Sequence, residues 1–170
     1  MGVYVVQVIG GRENTARSLL CKHASDCMDE CFLPKFELMK RKEGEWHKVK
    51  ELLFPGYLFV RTDNPEQLSA RMRTIPVFMR LLGSNDQFIP LAPNELLWLN
   101  TFADAEKHLV EMSQGVIEGD KVIVTEGPLK GHEALITKIN RHKRLAYVDL
   151  HMFGRQKTVR IGLEIVRKNQ

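Results

Sequence analysis

Leu53-Phe54-Pro55-Gly56-Tyr57-Leu58-Phe59-Val60 lies in the longest nearly uninterrupted apolar run of this 170-residue chain, Leu52–Val60. The run is far too short for a bilayer, which needs about 20 apolar residues. At this length and composition it reads as the most apolar strand of a folded domain, over Leu52–Arg61. Tyr57 and Phe59 stand two apart, so on a strand they share one face.

Upstream, the β-branched and aromatic run Val3–Ile9 reads as a further strand, ended by Gly10-Gly11. Ala16, Leu19, Leu20 and then His23 or Ala24 recur at helical spacing, which predicts an amphipathic helix over Glu13–Ala24. Leu33–Lys42 and His47–Lys50 flank Glu43-Gly44-Glu45 and predict a long polar hairpin arm. Downstream, Asn64-Pro65 marks a helix start, with the Asn side chain free to cap amides and Pro suited to the first turn. That helix should end near Thr74, before Pro76; Val77–Leu82 follows as a strand and Asn94–Phe102 as a third helix. The order β-α-β-β-α-β-α predicts an α+β domain over residues 1–104, an antiparallel sheet with flanking helices.

Residues 105–116 turn polar and charged and are expected to be a linker, in which Leu109 and Met112 support at most a short helix. From 117 to 170 the pattern is different. Lys121–Thr125, Glu133–Ile139, Leu145–Leu150, Gln156–Ile161 and Glu164–Arg167 are short strands separated by Gly-Pro, Gly or polar clusters, the signature of a small all-β barrel. Its Val and Ile content favours a stable barrel over a helical alternative.

Composition narrows the function. Hydrophobic residues make up 44% and charged residues 27%, as expected of a folded, soluble chain. Gly115–Gln170 holds 11 basic against 6 acidic residues, whereas the remainder holds 14 against 15. The positive charge is thus confined to the last third, which points to a phosphate-bearing partner for that part alone. Met1 runs directly into a strand-like segment, so no secretion signal is expected, and three cysteines without one fit reduced thiols in the cytoplasm. Cys21, His23, Cys27 and Cys31 lack the spacing of a zinc finger, and no nucleophile–base pair or phosphate-cradling loop is present. Neither enzyme, metal nor cofactor is expected, and neither is a membrane partner; the chain is expected to be monomeric.

Two stretches resemble a known family. Phe54-Pro55-Gly56-Tyr57, with Tyr4-Val5-Val6-Gln7 before it and Arg73-Thr74-Ile75-Pro76 after it, is similar to the N-terminal (NGN) domain of NusG proteins. Gly119-Asp120-Lys121-Val122-Ile123-Val124 through Gly131 resembles the KOW motif of an SH3-like barrel, and Met152-Phe153-Gly154-Arg155 matches its closing strands. Val3 replaces the Trp usual in housekeeping members, Ala134 replaces a KOW glycine, and Lys157-Thr158 replaces Thr-Pro. These departures are similar to those of a specialised paralogue of the LoaP type, which resembles RfaH in promoting antitermination over long operons.

The resemblance implies transcription elongation and processive antitermination. Tyr57 and Phe59 would line a depression for the clamp helices of the RNA polymerase largest subunit, with sheet core the alternative for one of the two rings. Tyr57 is the better candidate for exposure, because its hydroxyl wants a polar partner. Arg73, Phe78 and Arg80 match further polymerase positions, and the cations of the Phe36–Val49 arm are candidates for upstream or non-template DNA. In the basic part, Lys130, Lys138, Arg141, His142, Lys143, Arg144, Arg155, Lys157 and Arg160 are the candidates for RNA. Asn140–Arg144 reads as a turn that presents several cations on one convex surface. Only Tyr147 and Phe153 are aromatic there, too few for extended single-strand stacking, so a folded RNA hairpin fits better. Solvated surface charge is the alternative. The competing functions are a general NusG elongation factor that couples polymerase to Rho or the ribosome, and a ribosome-associated KOW protein that binds RNA.

Overall fold

A computed structural model describes residues 1–84 and 87–166. In chain order the elements are β1 (Gly2–Val8), α1 (Glu13–His23), β2 (Glu30–Phe32), β3 (Lys35–Lys42), β4 (Glu45–Leu52), β5 (Tyr57–Thr62) and α2 (Pro65–Met72). Then come β6 (Met79–Leu81), β7 (Gly83–Ser84), β8 (Gln87–Phe88), α3 (Pro93–Phe102), β9 (Leu109–Val110) and β10 (Ser113–Glu118). The chain finishes with β11 (Lys121–Glu126), β12 (Ile136–Asn140), β13 (Leu145–Met152) and β14 (Arg155–Ile165). Its contacts divide it into two compact units: Met1–Leu33 with Phe54–Leu96, and Pro34–Leu53 with the chain from Leu97 on.

In the first unit the sheet order is β2-β5-β1-β6, all antiparallel. β5 has neighbours on both edges, and Leu58, Phe59 and Val60 are all fully buried. The apolar run does not form one strand, however. Leu52 ends β4, and β5 begins only at Tyr57. Pro55 has no N–H for a ladder, and Gly56 sits at φ +87, a left-handed geometry that closes the turn from Phe54 to Tyr57. The turn is pinned from α1: the Glu13 carboxylate, 5% exposed, accepts the Gly56 N–H at 2.9 Å. α1 itself follows its periodicity, burying Ala16 and Leu20.

At the start of α2, Pro65 occupies the first turn as expected, but the Asn64 side chain makes no capping bond. The Asn64 N–H instead donates to the Thr62 hydroxyl at 3.0 Å, and that hydroxyl donates to the Cys27 carbonyl at 2.6 Å. The end of β5 thus holds the residue that leads into α2. The expected strand Val77–Leu82 contracts to Met79–Leu81.

In the second unit β3 and β4 form the expected hairpin, and β3 pairs on its other edge with β9, in parallel. The five-stranded curled sheet runs β11-β10-β14-β13-β12. Its core holds Leu129, Ala146, Val148, Met152, Ile161 and Leu163. Residues 105–116, expected as a linker with at most a short helix, instead contain β9 and the start of β10, with Leu109, Val110 and Ser113 buried. A two-residue apolar pair is too short for any periodicity to reveal, and its burial comes from the distant β3. Glu133–Leu135 is a 3₁₀ turn rather than strand. Gln156–Ile161 and Glu164–Arg167 were expected as separate strands, but β14 runs unbroken to Ile165; Arg167 lies outside the described residues. Gly162 does not break it. A Cβ there would meet the Glu37 carbonyl oxygen of β3 at 2.2 Å, so the glycine admits a close backbone approach.

Candidate functional site

Two surfaces hold the residues expected to act, one in each unit. In the first unit Gln7 pairs with both Tyr57 and Arg80, so these three residues form one cross-strand row on one face of the sheet. The Arg80 guanidinium donates to Gln7 Oε1 at 2.9 Å. Ile9 and Phe78 each lie one residue beyond the last pair of the β1–β6 ladder, Val8 with Met79. These two are 53% and 52% exposed. Apolar side chains so open at the end of a sheet, beside an arginine, make an anchor of the kind found at interface centres.

Phe59 takes the alternative of sheet core, and Tyr57 is placed differently from expectation. Phe59 is fully buried, with ring centroids 5.6 Å from Phe32 and 5.5 Å from Phe54, so it is sheet core. Tyr57, expected to be exposed, is only 9% so. Arg73 is exposed at the C-terminal end of α2. Ile9 was read as strand interior; its exposure depends on where the sheet stops, which no local pattern states.

In the second unit the residues expected to meet RNA fall in several places. Lys138, Tyr147 and Arg160 form a cross-strand row, with the Lys138 amine 5.6 Å from the Tyr147 ring centroid. Arg141, His142 and Lys143 are exposed in the turn between β12 and β13, as the sequence suggested. The Lys143 N–H donates to Asn140 Oδ1 at 3.0 Å and shapes that turn. Arg155 and Lys157 pair with Met152 and Leu150, in register with core positions rather than with the Tyr147 row. The Lys157 amine lies 5.8 Å from the Phe153 ring. Lys130 is exposed in a separate turn after Gly127.

Two of the arginines already have partners within the unit. The Arg144 guanidinium stacks 3.9 Å over the Trp46 ring of β4 and pairs with Glu164 at 3.5 Å. Arg160 pairs with Glu51 of β4 at 3.0 Å and lies 5.4 Å from the Phe36 ring. Glu51 also takes Lys40, and the Lys40 hydrogen bond, with the charges of Lys40 and then Arg160, holds its carboxyl below the usual range against the opposing effect of burial. Lys40 of the hairpin thus shares the Glu51 carboxylate with Arg160 of β14. Trp46 and Glu51 are far from the two arginines in sequence, so charge counting could not reveal them.

Among the described residues no group of three or more His, Cys, Asp or Glu side chains could hold a metal ion. None of their helices is long and apolar enough to cross a membrane.

Comparisons with known proteins agree with these features. The family model described as transcription termination factor nusG matches residues 2–100, and the KOW motif matches residues 118–149. The transcription termination/antitermination protein NusG of Thermus thermophilus is 28% identical over 178 residues, covering 97% of each chain. That of Rickettsia felis is 24% identical over 171 residues, covering 98% of this chain and 89% of the relative. A solved structure titled "Domain interaction in Thermotoga maritima NusG" superposes with a TM-score of 0.55 at 19% identity, covering 95% of this chain and 93% of that one, which shows the shared fold. An N-terminal sheet with flanking helices, an all-β C-terminal part and a family match over more than half its length together establish that this chain belongs to the NusG family.

Proposed function

We propose that this protein is a transcription-elongation factor that rides on RNA polymerase and acts as a processive antiterminator, in the manner of a LoaP-type specialised paralogue. Labour divides between residues 1–104, which attach to the clamp helices of the largest subunit, and the KOW part, 117–170, which holds an RNA hairpin. The observation that carries the attachment is the exposed Ile9 and Phe78 pair beside Arg80. An amphipathic helix offers apolar side chains at i, i+3 and i+4 to such a patch. The factor would favour the closed clamp by binding that state better.

The basic part supports the RNA reading through its exposed Arg141–Lys143 turn and the Lys138–Tyr147–Arg160 row. A convex turn meets a hairpin backbone without needing several stacking platforms. Cations of the β3–β4 arm are the candidates for upstream or non-template DNA, and the protein works as a cytoplasmic monomer. The test is a titration of the full chain against a structured RNA at several salt concentrations, and against a clamp-helix peptide. Binding of the RNA should fall steeply with salt, and Arg141→Ala should flatten the slope by roughly one unit. Weak, salt-independent RNA binding would sink the RNA reading while leaving polymerase attachment standing.

The second reading is a general elongation factor that couples polymerase to Rho or the ribosome. It is favoured by the relatives, which are named for both termination and antitermination. A Rho-termination assay with and without an RNA hairpin separates the two, since only the specialised factor needs the hairpin.

A further inference from the structure

Three side chains assigned above to RNA do more than face solvent. His142, Lys143 and Arg160, together with Lys40 and Arg41 of β3, rim a cavity of about 410 Å³. Its walls are apolar: Leu38, Met39, Trp46 and Leu145. Leu38 and Leu145 are 3% and 2% exposed, so the floor of the cavity is continuous with packed core. Trp46 is held by the Arg144 guanidinium stacked 3.9 Å over its ring.

The charges at the mouth are not equivalent. Glu51 occupies Lys40 and Arg160. Arg41 and Lys143 have no ion pair among the described residues. A bare phosphate would have no use for an indole wall, and an apolar peptide would have none for two unpaired cations. A ligand that joins a flat ring to a negative charge uses both, and a cavity of this volume falls in the range of small-ligand sites.

We propose that this cavity is a nucleotide site, the base lying against Trp46 over Leu38 and Leu145 and the phosphate meeting Arg41 and Lys143. The nucleotide comes either from an unpaired position in an RNA hairpin or from a free nucleoside phosphate; the chemistry recognised is the same. The first source rests on the RNA reading above and the second does not. Backbone contact by the Arg141–Lys143 turn needs no cavity, so the proposal adds a base-reading element to a surface otherwise blind to the base.

The experiment titrates the full chain with a hairpin RNA carrying one unpaired nucleotide, the same hairpin fully paired, and adenosine 5′-monophosphate, while following tryptophan emission. If the source is RNA, the unpaired hairpin binds about tenfold or more tightly than the paired one, a preference that Trp46→Ala abolishes. If the source is a free nucleotide, the monophosphate quenches Trp46 emission, and Trp46→Phe removes the quench. Arg41→Gln, at an exposed position, must weaken whichever signal is seen, and it keeps the test valid should Trp46→Ala misfold. Equal affinity for the two hairpins with no response to the monophosphate overturns the nucleotide site, and the RNA reading survives if both hairpins bind. A preference for the unpaired hairpin that both variants retain also overturns it. No RNA binding but a monophosphate response upholds the site and removes the RNA reading. No binding at all removes both.

Discussion

The Glu13 carboxylate of α1 accepts the Gly56 N–H at 2.9 Å and is itself 5% exposed. The helix thereby fastens the Pro55-Gly56 turn, and with it the start of the central strand β5. Hydrogen bonds to ionised groups contribute about 1.5–3 kcal/mol, and a buried donor left unpaired costs a similar amount. Glu13→Ala should therefore lower unfolding stability by about 1–3 kcal/mol in chemical denaturation. Glu13→Gln, which keeps an acceptor at the same reach, should recover part of the loss. Equal stability of all three proteins would show that the turn stands without α1.

Phe78 and Phe59 should separate binding from folding. Phe78→Ala at a 52% exposed position should change stability by no more than about 0.5 kcal/mol, yet weaken clamp-helix binding roughly tenfold if it is an interface anchor. Phe59→Ala, in a fully buried site, should cost about 3–5 kcal/mol of stability. Thermal melts with peptide titrations distinguish the two, and a Phe78→Ala protein with wild-type affinity would move the attachment surface elsewhere.

Acid should loosen the tie between β4 and β14. Glu51 has its folded-state carboxyl held below the ordinary value, first by the Lys40 hydrogen bond and then by the charges of Lys40 and Arg160. Its contribution is therefore complete above the unfolded carboxyl value and is lost as pH falls through the folded one. Melting temperatures of wild type and Glu51→Gln should differ near neutrality and converge in acid. A gap that persists unchanged in acid would mean that the carboxylate charge plays no part.

The three thiols should differ sharply in reactivity. Burial pushes the Cys31 thiol up to about 12 and raises that of Cys27, whereas Cys21 is exposed. Since the thiolate is the nucleophile, alkylation at pH 8 should label Cys21 quickly and the other two only as the fold opens. Mass spectrometry of labelled peptides reads this directly. Fast labelling of Cys31 would show that β2 is not held closed against β5.

What the sequence made legible were features whose cause is local. The helical spacing of Ala16 and Leu20 became the buried face of α1, and the Glu43-Gly44 turn became the tip of the β3–β4 hairpin. The turn Arg141–Lys143 was legible for the same reason. What was not legible depended on distant partners. Leu109 and Val110 are strand because β3 offers an edge, and Gly162 continues β14 because the Glu37 carbonyl fills the space of its missing Cβ. Tyr57 was judged by its hydroxyl, yet it is buried in the fold. Arg144 and Arg160 counted as cations for a ligand until Trp46 and Glu51 appeared beside them.

The parallel pairing of Lys35 with Leu109 and Phe36 with Val110 sets an order of events during synthesis. β3 and β4 leave the ribosome early and can zip into a hairpin at once, as a local pairing. One edge of that hairpin then stays bare until most of the chain has been made, because its partner strand follows α3. Such a late loop closure slows completion and leaves an open strand edge on the nascent chain. The Lys and Glu residues along the arm are suited to that interval, since charged edges resist joining the wrong strand.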